Sequence, residues 1–436
     1  MADIQGFRGI RFNLAKVGPL TDVVCPPYDV IDQTLQHRLL AMSPYNFIRL
    51  ELQPEQPQDD DQANRYTRAA QLLKNWTSED VLVPDAKPSI YLVHQQYTAD
   101  GESHTRKGFM ARVRLEPFGQ GKIFAHEETM SGPKADRLKL YKATASNLSP
   151  VFGLYPDPKN SVMEALDLFA MRNLPLEATD HLGVTSRIWQ ITDPQLIQTA
   201  HSWLIDQPVF IADGHHRYET GCKYMEECHS KGVGLEPDAP QRFILMMLVS
   251  MADPGLTIMP THRLIDGLKN LDAVQLANAL SPYFHIERVG GGKEAGQSAW
   301  KRIVQDGSQD ILGLGTRHDG NWTLARLKPE GVAEIARRVP EHTPEWRSLG
   351  VSILHRLALE ILAPQGGLKF RYVHEDSEAV SALGTHGPEG CDLAALVPAC
   401  SMSDVAVIAS GNEKMPPKST YFYPKVLSGL VVNPLR

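Results

Sequence analysis

The sequence predicts a mixed fold between the α/β and α+β classes, and three observations predict it. Pro208 to Ile211 is a short apolar run that enters Ala212-Asp213-Gly214, after which Tyr218, Cys222 and Met225 recur at helical spacing. That is a strand, a tight turn and a helix in succession. Ile90 to Tyr97 and Gly108 to Leu115 are strand-like runs flanking the turn signal Asp100-Gly101, as in a hairpin. The rest of the chain alternates helix-like and strand-like segments, so mixed sheets with helices packed on them are expected.

The elements follow in order. Tyr28 to Met42 places Leu35, Leu39 and Met42 at helical spacing behind an N-cap supplied by Asp29 or Asp32. Asn46, Ile48, Leu50 and Leu52 alternate with Phe47, Arg49 and Glu51, which is the period of a strand. A solvated Pro, Gln and Asp rich loop, Gln53 to Gln62, precedes a helix containing Tyr66, Ala69, Ala70, Leu73 and Trp76. Lys122 to Ala125 adds a strand, and Ser131-Gly132-Pro133 opens a helix through Lys142, because serine caps and proline fits the first turn. Gln195 to Ile205 reads as a helix, His229 to Gln241 as a linker, Phe243 to Met251 as a buried strand and Gly255 to His262 as a strand or loop. Ala273 to Leu280 and Val351 to Leu362 read as helices, Gly290-Gly291-Gly292 as a turn, and Asp404 to Ile408 and Gly429 to Val432 as strands. The chain of 436 residues is long for one domain. Two are expected: 1–264, holding the Asp213 turn, and a smaller α+β domain, 265–436, whose lysine loop reaches back to the pocket.

Composition narrows the setting. With 42% hydrophobic and 22% charged residues the chain is that of an ordinary folded, water-soluble protein. Its longest apolar run, Phe243 to Val249, is much shorter than the roughly 20 residues a membrane helix needs, so no membrane span is expected. A net charge of −7 disfavours general nucleic-acid binding. The amino terminus lacks the apolar core of a secretory signal, and the five cysteines form no CxxC pair, so the cytoplasm and reduced thiols are expected.

The strongest chemical signal is Ile211 to Thr220, where a strand hands over to a helix. Helix amides point outward there with partial positive charge, Gly214 permits close approach of the backbone, and Arg217 can grip phosphate oxygens with two donors. His215 or His216 can add a contact. The bland alternative is a capped turn in which Asp213 accepts helix amides. A second constellation, His126-Glu127-Glu128-Thr129 with Lys134, Asp136 and Arg137, suits phosphoryl transfer: carboxylates hold Mg²⁺ or take a proton while the cations neutralise phosphate. It reads equally well as a solvated helix start with local ion pairs. Near the carboxyl end, Lys414 to Lys425 stiffens three lysines with prolines, and Lys418, Ser419 and Thr420 could close over an anion. A surface loop with an aromatic anchor explains that run as well. Neither GxxxxGK[ST], GxGxxG after a strand, HExxH nor GxSxG occurs.

The segments FRG, CPPYDVI, SPYNFIRLEL, AHEET, DRLKLY, ADGHHRYET, PTHRL, VSILHRL and MPPKSTYFYPK, in this order, resemble the bacterial and archaeal family called domain-of-unknown-function family 1015 across essentially the whole chain. Locally, Asp213-Gly214-His215-His216-Arg217 is similar to the DGHTR loop of free-serine kinases of the ParB and sulfiredoxin fold, with His216 in place of the threonine. The resemblance implies a ParB-like core with insertions and a nucleotide phosphate on this loop. It also implies an early acidic base, for which Asp29 and Glu51 are the candidates.

The expectation is therefore a phosphotransferase acting on a small molecule, serine or a related hydroxy amino acid, with ATP or ADP as donor. Mg²⁺ would lie on Asp213 or Glu127. Asp29, Asp213, His215 and Glu127 would be catalytic. Gly214, His216, Arg217, Lys134, Arg137, Lys418, Ser419 and Thr420 would hold the nucleotide. A homodimer is compatible with this reading. Two alternatives stand beside it: a nucleotide or metabolite sensor without turnover, and a metal-dependent hydrolase built on His126, Glu127, His215 and His262.

Overall fold

The computed structural model describes residues 2–99, 101–127, 131–385, 387, 389–411 and 413–436, with the backbone alone at 131–133. Two compact units are distinguished. The first comprises Met1–Ala125, Thr129–Thr257 and Pro424–Arg436, and the second comprises His126–Glu128 and Ile258–Tyr423. Among the described residues no helix is long and apolar enough to cross a membrane.

The first unit is built on a nine-stranded mixed sheet. Its strands are β1 (Ile4–Gln5), β2 (Ile90–Ala99), β3 (Glu102–Arg114), β4 (Ile123–Ala125), β5 (Val151–Tyr155), β6 (Leu176–Thr179), β7 (Thr185–Ile191), β8 (Val209–Asp213) and β9 (Phe243–Ser250). They lie in the order β4-β8-β5-β9-β3-β2-β7-β6, with β1 against β3. β2 and β3 form the hairpin read from the sequence, with Ala99 opposite Glu102. Because side chains alternate along a strand, Ile90 and Leu92, Phe109, Ala111 and Val113, and Ile244, Met246 and Leu248 all face one side. They form one core with Val162, Met163 and Leu166 of the helix Ser161–Ala170 and with Tyr218 of the helix His215–Ser230.

One irregularity in β8 decides where the chemistry lies. Phe210 pairs with Leu154 and Ile211 with Gly153, but Asp213 pairs with Phe152, so Ala212 is an extra residue. Strict alternation would send Asp213 into the same core as Val209 and Ile211. The bulge turns it to the opposite face, beside Phe152.

The second unit holds a six-stranded sheet of β10 (His262–Asp266), β11 (Phe284–Gly291), β12 (Ile311–Thr316), β13 (Asn321–Leu327), β14 (Lys369–Val373) and β15 (Leu393–Leu396). The order is β11-β13-β12-β15-β10-β14, and every pairing is antiparallel. Ala295, Ala299 and Ile303 of the helix Gly292–Asp306 and Val380 and Leu383 of the helix Asp376–Gly384 pack on it around the buried Trp322.

Several local expectations are corrected. Asn46 to Leu52 is not a strand: Ile48–Glu51 is a single helical turn. The Asn46 amide donates to the carbonyls of Asp22 and Val24 and its oxygen accepts from Ile48 N, which fixes the turn. Phe47, Ile48, Leu50 and Glu51 are all buried, so the alternation was accidental. Asp404 to Ile408 lies within a helix, Met402–Ser410, closed by a reciprocal Ser401–Asp404 capping box that the apolar run concealed. Gly429 to Val432 is an irregular segment with one bridge from Val432 to Ile10, and the only strand there is Asn433–Pro434. Of the two cap candidates, Asp32 serves, accepting from Leu35 N at 2.7 Å. The helix read at Val351 to Leu362 is interrupted by a π turn, Leu354–Ala358.

Gly255 marks the tightest approach that shapes β3. A Cβ there would lie 2.5 Å from the Arg106 nitrogen and closer still to the carbonyl of Thr105, both backbone atoms that cannot move aside. Gly255→Ala is expected to cost about 1–3 kcal/mol through overpacking. Chemical denaturation that left the variant as stable as the parent would show that the contact is relaxed at no cost.

Candidate active site

Asp213 ends β8, and Gly214, at φ 87°, turns the chain into the helix His215–Ser230. This positive φ suits glycine. A Cβ at Gly214 would also come within 2.9 Å of Arg217 Nε, because the guanidinium folds back over the turn. Arg217 Nη2 donates to Asp213 Oδ2 at 2.5 Å, and Nη1 donates to the Pro150 carbonyl. Lys425 Nζ donates to the other oxygen, Asp213 Oδ1. Burial would push the Asp213 carboxyl up, but the adjacent Lys425 and Arg217 charges outweigh it and hold the group below the usual carboxylate range. Asp213 is therefore a fixed anion and a poor proton acceptor.

The bend is thus closed on one side by its own arginine. Arg217 is 3% exposed and acts as a strut rather than as an open phosphate fork. A further buried cation lies on a residue that no sequence motif marks. Arg106 on β3 is completely buried, with its guanidinium 4.5 Å from the centre of the Phe152 ring, and Phe152 pairs with Asp213. Its Nη2 donates to Gln95 Oε1 and to the Pro424 carbonyl, while Nε and Nη1 have no hydrogen-bond partner. Burial lowers its pKa to about 10, countered by Tyr97, Asp253 and Asp213, so it stays charged at neutral pH. Among the described residues Arg106, Arg217 and Lys425 are three buried or nearly buried cations acting on Asp213, with Asp253 also acting on Arg106 and Asp29 and Glu51 on Arg217. Such a cluster attracts an anion.

A second charged network adjoins Arg217. Arg137 is nearly buried and lies over the Tyr28 ring at 4.0 Å. Its Nε donates to Asp136 Oδ2 at 2.7 Å and its Nη1 to Glu51 Oε1 at 3.3 Å. Ser149 donates to the same Glu51 oxygen at 2.6 Å. Glu51, Arg137, Ser149 and Arg217 line a small void of about 10 Å³. Glu51 is engaged through Oε1 while its buried Oε2 has no hydrogen-bond partner, and Asp29, in the turn Tyr28–Val30, is exposed; both act electrostatically on Arg217. Lys134 pairs with Glu219 at 2.5 Å. Both border a cavity of about 420 Å³ with an apolar floor of Phe118 and Leu138. Thr220 and Lys223 also line it, and His216 sits one turn before Thr220 on the same helix face.

Glu127, Lys418, Ser419 and Thr420 belong to the second unit. There Glu127 Oε1 accepts from the Lys418 backbone nitrogen at 2.7 Å, Ser419 donates to the Pro416 carbonyl at 2.6 Å, and His126 Nε2 meets Thr420 Oγ1 at 2.8 Å. Lys418 is held at φ 60° with its side chain exposed. These contacts fasten the loop, so Glu127 is occupied as a clamp. His262 is fully buried, its Nδ1 accepts from Val397 N at 3.2 Å, and burial pushes its pKa down to about 3. Among the described residues no three His, Cys, Asp or Glu side chains gather as metal ligands. Nor does Asp213 fit a divalent cation, since each of its oxygens already faces a cation. The five cysteines are free thiols.

The depressed Asp213 carboxyl is coupled to stability. Its folded value lies below the unfolded one of about 3.9, so its contribution is complete above about pH 4 and is lost as pH falls through the folded value. Asp213→Asn would leave buried cations unpaired and is expected to cost about 3 kcal/mol at pH 7. It should also remove this part of the acid destabilisation below about pH 4. A denaturation series in which the variant matched the parent at pH 7 would refute the pairing.

The family described as "Protein of unknown function (DUF1015)" matches residues 4–352. No curated protein matches the chain. Among solved structures the chain is similar to a free serine kinase in complex with ADP, at 11% identity over 69% of this chain and 84% of that one, with a TM-score of 0.34. It is similar to SbnI with C-terminal truncation from Staphylococcus aureus, at 11% identity over 75% and 87%, with a TM-score of 0.36. A conserved hypothetical protein from Pyrococcus furiosus is 10% identical over 69% and 87%, with a TM-score of 0.33. On the extent of the family match, this chain belongs to the DUF1015 family of proteins of unknown function.

Proposed function

We propose that the first unit is a nucleotide-dependent phosphotransferase for a small hydroxylated acceptor, with serine or a related hydroxy amino acid as the first candidate. The observation that carries this reading is the group of buried cations acting on Asp213, in which Arg106 keeps two donors without a hydrogen-bond partner, next to the glycine-opened helix start that follows Asp213. A polyphosphate supplies acceptors for these cations, and the helix amides supply further donors for its oxygens.

In this reading ATP or ADP sets its phosphates against the Gly214 turn, with Lys425 and Arg106 stabilising the charge that gathers on them in transfer. Arg217 and Asp213 act as positioning residues: each fixes the other, and Asp213 also fixes Lys425. The nucleoside lies toward the 420 Å³ cavity along the same helix, where His216 precedes Thr220 by one turn. Exposed Asp29 takes the proton of the acceptor hydroxyl. That oxygen bonds to the terminal phosphorus, and the bond to the bridging oxygen breaks with its electron pair leaving on ADP or AMP. The residues around Asp213 do not fit Mg²⁺, so no step here is routed through a metal.

The test is to incubate the full chain with ATP or ADP, with and without Mg²⁺, and a panel of hydroxy amino acids, following phosphorylated product. Product should form with at least one pair. Asp29→Asn should lower kcat by about 10²-fold or more with little change in nucleotide affinity, the size expected for a lost general base. Nucleotide binding without product under every condition would leave a sensor, and neither binding nor product would end the proposal.

A further inference from the structure

Three of the sequence motifs left unused above meet in the second unit. Arg263 comes from the PTHRL segment, His355 and Arg356 from VSILHRL, and Lys414, Met415, Pro416 and Pro417 from the start of the carboxyl-terminal loop. His355, Arg356 and Lys414 line a cavity of about 470 Å³, together with His342, Phe370 and Tyr372. A cavity of this size holds a ligand as large as a mononucleotide.

Its walls are built for a flat ring. Phe370 and Tyr372 are two apart on β14, so they project from one face of that edge strand. His342 stacks on Trp346 with 3.6 Å between ring centres and 5° between planes, which locks both rings. Trp346 Nε1 donates to the Lys414 carbonyl at 2.9 Å, and His342 Nδ1 meets Glu413 Oε1 at 2.7 Å. Glu413 also takes the amide and hydroxyl of Thr343, so the carboxylate next to Lys414 in the chain is engaged elsewhere.

Its floor is built for negative charge. His355 and Arg356 sit in the π turn Leu354–Ala358, an irregularity that recurs at functional sites because it displaces side chains from the regular helix face. Buried Arg263 donates through Nε to His355 Nε2 at 3.3 Å and through Nη2 to the Lys418 carbonyl at 2.8 Å. An arginine only donates, so His355 Nε2 carries the lone pair and the ring proton is on Nδ1. Burial and the neighbouring Arg263 push the His355 pKa down to about 3, which keeps it a neutral donor. Arg356, whose Nε meets Glu360 Oε1 at 3.3 Å, and Lys414 bring two cations to the lining, and Glu341 is the carboxylate among the lining residues.

We propose that this cavity is a ligand site for a planar aromatic ring bearing a phosphate or carboxylate, the ring lying against Phe370, Tyr372 and His342 and the anion meeting Arg356, Lys414 and His355. The site does not depend on the phosphotransfer reading. Amide hydrogen exchange of the full chain, followed in peptides covering 341–347, 354–358, 369–373 and 413–417, tests it with AMP and indole-3-carboxylate against adenosine, indole and inorganic phosphate. Slower exchange in these peptides with either anionic ring is expected, and which of the two acts distinguishes phosphate from carboxylate. Arg356→Gln, on an exposed side chain, should weaken the effect about tenfold, as expected for one charge-assisted hydrogen bond. Tyr372→Ala should weaken it while leaving the fold intact, since that ring is 38% exposed. The proposal is overturned if neither anionic ring slows exchange there, if adenosine and indole act as strongly as their charged counterparts, if phosphate alone suffices, or if both variants behave as the parent.

Discussion

Gathering Arg106, Arg217 and Lys425 around the buried Asp213 carboxylate is the constraint on which the first unit turns. An uncompensated buried cation costs several kcal/mol, so a fold keeps one only where something holds it in place. Here the holding is visible atom by atom. Arg217 is tied to Asp213 and to the Pro150 carbonyl, Lys425 is tied to Asp213, and Arg106 is held over Phe152 by Gln95 and the Pro424 carbonyl. The bulge at Ala212 brings the carboxylate to the face where these cations lie, and Gly214 leaves room for the guanidinium that fixes it.

The same features divide the polar residues into those that hold and those that remain available. Asp213 and Arg217 satisfy each other, and Glu51 Oε1 is held by Arg137 and Ser149 while its Oε2 is left without a hydrogen-bond partner. Arg106 keeps two donors without partners, and Asp29 is exposed beside the network. In the second unit Glu127, Ser419 and Thr420 fasten a loop, whereas Lys414 and Arg356, the latter paired with Glu360, border a cavity in which the His342 and Trp346 rings are stacked.

The strand, turn and helix around Asp213 were legible because an apolar run, a glycine and a helical period follow one another within a few residues. The hairpin of β2 and β3 was legible for the same local reason, with Asp100 of its turn signal lying outside the described residues. The partners were not. Lys425 reaches Asp213 across 212 positions, and nothing local marks which lysine of its loop would do so. Arg106 sits among the polar residues that open β3, and its burial follows only from the approach of Gly255 and the pairing of β5 with β8. Arg217 was legible as a residue but not in its role, because whether an arginine faces outward or folds over its own turn is set by packing. Asn46 to Leu52 and Asp404 to Ile408 misled for another reason. Asn46 to Leu52 is buried on nearly all sides, so apolar periodicity no longer separates strand from helix there, and in Asp404 to Ile408 the exposed apolar Val407 hides the helical spacing of Val405, Ile408 and Ala409 that the cap reveals.

The claim that the Asp213 site is an anion site is tested most directly by a charge with no ring attached. Calorimetric titration of the full chain with inorganic triphosphate, repeated at rising salt, isolates the phosphate interaction from any aromatic one. The account predicts saturable binding that weakens with ionic strength and falls at least tenfold in Lys425→Met, a loss of about 1.4 kcal/mol or more. Triphosphate that fails to bind, or that binds parent and Lys425→Met alike, would contradict it.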